Sequence, residues 1–339
     1  MGQFAWYNMF TSLINTIFSA NSKLQEIDSM NKSKCPICGS MHTIKYGSHK
    51  GIQTYKCTDC GYRFRNVKFP SDQELWTMYQ VRKQTIAELS SSLGVSLSTI
   101  KRRLRNIDIK WEQPPLDGHG FVHLDATYWG RNDGILVALD SQSGTALYLA
   151  FIKHERVSDY IDAVNSIESR GYMIDGIIID GMQTLFSAFS SYKIQMCQFH
   201  MKQIIKRYLT KNPRLLAARS LNDLMKNLSL MSKEDFIKEY TLWKETWIDT
   251  LNKRSQLKNG KTRYRHRRLR TAMRSIDFHL PYLFTYQESL CKGMPNTNNK
   301  IEGTFTDLKK NLNSHSGMRE MNRKRFISGF FLELVKPLA

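Results

Sequence analysis

Two Cys-x-x-Cys pairs, Cys35-Pro-Ile-Cys38 and Cys57-Thr-Asp-Cys60, stand eighteen residues apart. Each tight turn sets two sulfurs at adjacent corners of a tetrahedron, the pattern of a four-thiolate zinc site. Gly39 and Gly61 follow the second cysteine of each pair, where such a knuckle often needs a positive φ. Four protein ligands leave no open position for a reacting water, so one zinc ion held here is expected to be structural. The competing reading is a pair of disulfides in an exported chain. The apolar stretch Phe4 to Ala20 is interrupted by Asn8, Thr11, Ser12, Asn15, Thr16 and Ser19, too polar for a membrane span, and it has no basic leader or clear cleavage site. The expectation is a cytoplasmic protein with no membrane partner.

Charge narrows the partners. The chain has 339 residues, with 50 Lys and Arg against 30 Asp and Glu, a net charge of +20. A surplus of this size points to a polyanion, and nucleic acid is the commonest. A hydrophobic fraction of 41% excludes wholesale disorder. Residues 31–110 hold fifteen basic and five acidic residues, so half the surplus lies in this short stretch.

The pattern along the chain predicts six segments. Residues 1–31 read as an apolar helical lead-in and 32–70 as a zinc ribbon. Residues 71–110 read as three short helices, with Ser71 capping the first, Thr85 and Glu88 forming a capping box on the second, and Ser96 capping the third. That is a helix-turn-helix layout, with Ala87, Leu89 and Val95 inward and Lys101, Arg102, Arg103 and Arg105 facing DNA. A three-helix bundle with a solvated basic face is the alternative. After a linker around Pro114-Pro115, residues 118–198 give three apolar hairpin strands, then helix, strand, helix and strand. This is the order of a ribonuclease-H-like fold. Residues 199–290 read as an α-helical insertion. Within it, Lys253 to Arg274 contains ten basic residues and no acid, with Tyr264 interleaved. Such a run is either a solvated stripe or a phosphate-binding surface through Arg263, Arg265, Arg267 and Arg268. Residues 291–339 complete the core with a final helix and a basic tail. The fold class expected is α/β: a ribonuclease-H-like core with a helical insertion, preceded by a zinc ribbon and a helix-turn-helix.

Three carboxylates stand out. Asp125 is expected to end the first strand of the core and Asp180 the fourth, while Glu302 opens a late helix in Asn298-Asn-Lys-Ile-Glu302-Gly303. A carboxylate after an apolar run is costly unless it meets a cation. Three of them can hold two Mg²⁺ ions, the pair that drives phosphodiester exchange. Taken singly, the two Asp are also compatible with turn caps and Glu302 with a solvated helix position. Trp243 and Trp247, one helical turn apart, read as core residues or as a platform for an unpaired base.

The segments His123-Leu-Asp-Ala-Thr, Ile178-Ile-Asp180-Gly181, Cys197-Gln-Phe-His200 and Asn298-Asn-Lys-Ile-Glu302-Gly303 resemble the DDE transposases of bacterial insertion sequences, in the branch related to plant Mutator elements. The likeness runs over residues 32–312. It implies that Asp125, Asp180 and Glu302 are the catalytic metal-binding triad for two Mg²⁺, with Mn²⁺ able to substitute. It also implies double-stranded DNA partners (element ends and target), a homodimer or higher oligomer on DNA, and a bacterial nucleoid setting. Cys197 and His200 belong to the same signature as candidate accessory residues; two ligands cannot by themselves close a zinc site. A transposase-derived regulator with an inactive core, and a nuclease that cuts without joining, remain as alternatives.

Overall fold

The computed structural model describes residues 33–49, 52–65, 69–113, 115–257 and 259–335. The lead-in expected over 1–31 lies outside them. The chain divides into two compact units, residues 1–107 and 108–339.

The first unit opens with an antiparallel sheet of β1 (Thr43–His49), β2 (Ile52–Cys57) and β3 (Arg63–Arg65), in that order. Three helices follow: α1 (Asp72–Gln80), α2 (Ile86–Ser92) and α3 (Leu97–Asn106). Their starts are written in the local sequence. Ser71 Oγ accepts the Glu74 amide while the Glu74 carboxylate accepts the Ser71 amide. Thr85 and Glu88 repeat this reciprocal pair, and Ser96 Oγ accepts the Thr99 amide. Leu75, Leu89 and Ile100 are fully buried between the helices. Ala87 is exposed and Val95 half-buried, against the expectation that both pack inward. The reason is geometric: residues two apart on a helix point to opposite sides, so Leu89 facing in turns Ala87 out.

The second unit is mixed α/β. Its sheet runs β6-β5-β4-β7-β8, from β4 (His119–Tyr128), β5 (Gly134–Asp140), β6 (Ala146–Ile152), β7 (Met173–Ile179) and β8 (Ile194–Met196). Strands β4, β5 and β6 pair antiparallel, whereas β4, β7 and β8 pair parallel. Every residue of β5 is buried, as expected for a strand covered on both faces. Between the strands lie α4 (Val157–Ser169) and α5 (Gln183–Ala188); after them come α6 (Gln198–Leu209), α7 (Leu216–Lys226), α8 (Lys233–Thr246) and α9 (Ile248–Asn252). A hairpin of β9 (Arg254–Gln256) and β10 (Thr262–Tyr264) leads into α10 (Arg267–His279), and the chain closes with α11 (Asn299–Ser314) and α12 (Glu320–Leu332).

Residue alternation assigns the two faces of the sheet. Val122, Leu124, Leu136, Ala138, Ile177 and Ile179 share one cluster with Tyr160 of α4, Ile205 of α6, Leu221 of α7, Phe236 of α8 and Leu269 of α10. Among the described residues, the stretch 199–290 therefore extends the sheet's core. It is mostly helical, with one short strand hairpin. On the opposite face, Ile135, Val137 and Leu139 pack against Ile301, Phe305 and Leu308 of α11 and Ile327 and Phe331 of α12. Trp243 is buried and donates its indole N–H to the Ala217 carbonyl at 3.0 Å, while Trp247 packs at the edge of the same core. Both are core residues rather than a base platform.

Candidate metal centres and nucleic-acid interface

In the first unit, the sulfurs of Cys35, Cys38, Cys57 and Cys60 all lie within 4.8 Å of one another. All four are free thiols, with Cys35–Cys60 at 3.6 Å and Cys38–Cys57 at 3.5 Å, far beyond a disulfide bond. The turns are built for the purpose. Gly39 (φ 72°) and Gly61 (φ 74°) take the left-handed conformation, and their amides close each knuckle onto the carbonyls of Cys35 and Cys57 at 3.0 Å. Burial raises Cys35, but the amides of Cys38 and Ile37 outweigh it and bring the thiol down to about 7. The Ser40 amide lowers Cys38, yet the neighbouring sulfurs drive it up to about 12. Sulfurs this close resist joint ionisation unless a cation sits among them. The cluster could hold zinc.

In the second unit, the sheet register brings the two Asp side by side. Strands β4 and β7 pair His123 with Ile178. Asp125 and Asp180 each lie two residues further along, on the face that α11 covers. Asp125 does not end its strand, as expected from the sequence; Ala126, Thr127 and Tyr128 go on pairing with β5. Glu302 sits in the first turn of α11, and all three carboxylates are half-buried. Burial pushes the Asp125 carboxyl well above the usual carboxylate range, and the charges of Asp180, Glu155 and Glu302 push the same way. The Ala126 amide, donating to Asp125 at 2.8 Å, opposes this only in part. Mutually repelling carboxylates of this kind fit a hard cation such as Mg²⁺, which takes oxygen ligands.

The other acids of this region have protein partners. Asp140 accepts from the Tyr172 hydroxyl at 2.6 Å and caps the turn through the amides of Gln142 and Ser143. Asp175 pairs with His119 at 2.6 Å, and Asp133 faces Arg323 at 3.9 Å.

Sequence reasoning missed Glu155. The residue is exposed, yet partial desolvation raises its carboxyl and Asp180 pushes the same way, while the Tyr160 hydroxyl, which donates to it, opposes them. No periodicity marks this residue, because it lies in the turn between β6 and α4.

A buried polar network positions α11. The Asn298 amide donates to Cys197 Sγ at 3.2 Å, and the Gln198 amide donates to the Asn296 carbonyl at 3.0 Å. The Asn298 carbonyl accepts the Glu302 amide at 3.0 Å, and the Asn298 side-chain oxygen lies 2.8 Å from His123 Nδ1. His123 and Asn298 are both buried, and burial lowers the His123 pKa, favouring the neutral ring. Both residues stand inside the sequence motifs, but nothing in a linear reading reveals that they bond across 175 positions. Cys197 follows β8 and is fully buried; burial pushes its thiol up to about 11. His200, in the first turn of α6, brings Nδ1 to 3.6 Å from Glu302 Oε1.

The expected DNA contacts fall in two places. On α3, Lys101, Arg102 and Arg105 are exposed. Arg103 pairs with Asp72 of α1 and lies 4.3 Å above the Phe69 ring, so it also ties the helices together. In the second unit, Arg263, Arg265, Arg267 and Arg268 line an open cleft of about 600 Å³ together with Arg214 and Tyr208. The guanidinium groups of Arg254 and Arg270 lie over the Tyr264 ring, at 4.5 and 3.7 Å from its centre. Among the described residues, no helix is long and apolar enough to cross a membrane.

No family model matches the chain, and no curated protein matches it. Among solved structures it is similar to a chain from the cryo-EM structure of the simian T-cell lymphotropic virus intasome in complex with the PP2A regulatory subunit B56 gamma. That match has 15% identity and a TM-score of 0.21, and covers 61% of this chain and 66% of that one, just under two thirds. It is also similar to the Drosophila P element transposase strand transfer complex, at 10% identity and a TM-score of 0.32, with 82% and 81% covered. Both scores are low.

Proposed function

We propose that this protein is a DDE-type DNA transposase of the Mutator-related branch of bacterial insertion sequences, with a ribonuclease-H-like core. The observation that carries the reading is the convergence of Asp125 and Asp180, from adjacent parallel strands, on the sheet face under the helix of Glu302. The antiparallel triple β6-β5-β4 extended by parallel β7 and β8 supports the same core. In this reading the core comprises 118–198 and 291–339, interrupted by 199–290, and a zinc ribbon (32–70) and a helix-turn-helix (71–110) read the inverted repeats at the element's ends.

Asp125, Asp180 and Glu302 would hold the Mg²⁺ pair, whose chemistry when bound would be to activate the attacking oxygen and stabilise the leaving oxygen of phosphodiester exchange. The chain's own contribution is placement. The two strands hold the Asp at adjacent positions, and the Asn298 network fixes where the first turn of α11 begins. The arginine cleft and the exposed bases of α3 neutralise DNA phosphates. The four-thiolate site holds a structural zinc, and the protein works as a homodimer or larger assembly on DNA.

The test uses the zinc-loaded protein, Mg²⁺ and a labelled duplex carrying the DNA that flanks its gene. Wild type should nick that duplex and join the freed 3′ end to a second duplex. Ala at Asp125, Asp180 or Glu302 should lower both steps at least about a hundredfold with DNA affinity kept. Cleavage and joining by Glu302→Ala at the wild-type rate would overturn the assignment; cleavage without joining would reduce the protein to a nuclease.

A further inference from the structure

Among the described residues, two groups of metal-ligating side chains close to within 4.8 Å: the four cysteines, and a second set made of Cys197, His200 and Glu302. The three catalytic carboxylates do not close to that spacing, so Glu302 stands nearer to a thiol and an imidazole than the triad alone requires. His200 Nδ1 and Glu302 Oε1 are both buried and neither has a hydrogen-bond partner. They face each other at 3.6 Å, just outside hydrogen-bonding reach. Buried polar atoms are rarely left without partners, and two that converge beside a buried sulfur indicate a shared third party.

The donor set names its chemistry. A sulfur, an imidazole nitrogen and a carboxylate oxygen suit Zn²⁺, which takes three protein ligands of these kinds and leaves a fourth position open. Mg²⁺ prefers oxygen alone. The Asn298 amide already donates to the Cys197 sulfur at 3.2 Å, the type of outer bond that orients a metal-bound thiolate. Cys197 and His200 come from the start of α6 and Glu302 from the start of α11, so the site spans two elements pinned by the same buried network.

We propose that Cys197, His200 and Glu302 form a second zinc site, distinct from the four-cysteine cluster. Because Glu302 serves both this site and the Mg²⁺ set, occupancy by zinc withdraws a ligand from the catalytic ions and switches the chemistry off. The inhibitory half rests on the transposase reading; the binding half does not.

Zinc bound per full-length chain, counted by mass spectrometry after dialysis against buffered Zn²⁺, should be about two for wild type. Cys197→Ser keeps an acceptor for the Asn298 amide, and His200→Gln keeps the bulk of the side chain. Each should weaken the second zinc at least about tenfold while the four-cysteine zinc stays bound. Loading with Co²⁺ gives a second readout, since the share of thiolate-to-metal absorption from Cys197 should vanish in Cys197→Ser even at saturating Co²⁺, where His200→Gln should regain it. In the Mg²⁺-dependent cleavage assay, zinc should inhibit wild type at a concentration at least about tenfold below that needed for Cys197→Ser. One zinc per wild-type chain at saturation, or a second zinc retained at full affinity by both variants, overturns the site. If the second zinc binds but no chain cuts DNA, the transposase reading fails and the zinc site stands. If wild type cuts DNA yet binds one zinc, the reverse holds.

Discussion

Asp125 is the residue at which apolar patterning and chemistry conflict. It continues a strand whose Val122 and Leu124 are buried, and it ionises against burial and three neighbouring carboxylates. Its folded pKa is raised above the unfolded value near 3.8, so the folded state holds the proton longer. In the absence of Mg²⁺, the contribution of Asp125 to stability is full below about pH 4 and is lost as pH rises from there through the raised folded value. Asp125→Asn should remove that fall, raising the melting temperature of the zinc-loaded, Mg²⁺-free protein at neutral pH by about 2–4 °C per kcal/mol relieved. Thermal melts of both proteins across pH 4–8 decide it, and equal curves would sink the argument. Asn298 is the complementary case. Asn298→Ala strands His123 Nδ1 in a buried site, which should cost about 1–3 kcal/mol in urea denaturation and loosen the start of α11, lowering cleavage as well.

The helices and hairpin divide into those specified locally and those specified by packing. The caps at Ser71, Thr85 and Ser96 were legible because each bond spans three residues. Thr85→Ala should destabilise the first unit by about 0.5–2 kcal/mol, read as loss of helical signal on heating. Arg102 and Arg103, neighbours on α3, should separate experimentally. Arg102→Ala is expected to weaken DNA binding with a shallower salt dependence, by about one unit of slope for each phosphate it no longer neutralises. Arg103→Ala is expected to act on stability, since its guanidinium serves Asp72 and Phe69. The β9–β10 hairpin escaped the sequence reading because three-residue strands are too short to show a period of two, and the run of arginines masks it.

Across the full chain, the two units make separate demands. The core clusters around β4 to β8 draw only on residues beyond 108, so residues 108–339 expressed alone should unfold in one cooperative transition and retain DNA affinity through the arginine cleft. Removing zinc from the full chain should erase the NMR signals of residues 33–65 as a dispersed set, because so small a sheet depends on its metal. The paired cysteines, the three helix starts, the five core strands and the candidate carboxylates could be read from the sequence, since each depends on spacing of a few residues or on apolar runs set by burial. The neighbourhoods could not. That His123 bonds Asn298, that Glu155 joins the acids and that Glu302 meets Cys197 and His200 all follow from strand order and from helix docking on a chosen sheet face. These meetings join residues as many as 175 positions apart. They exist because burying the apolar faces of β4, β7 and α11 leaves the polar residues of those elements only one place to meet.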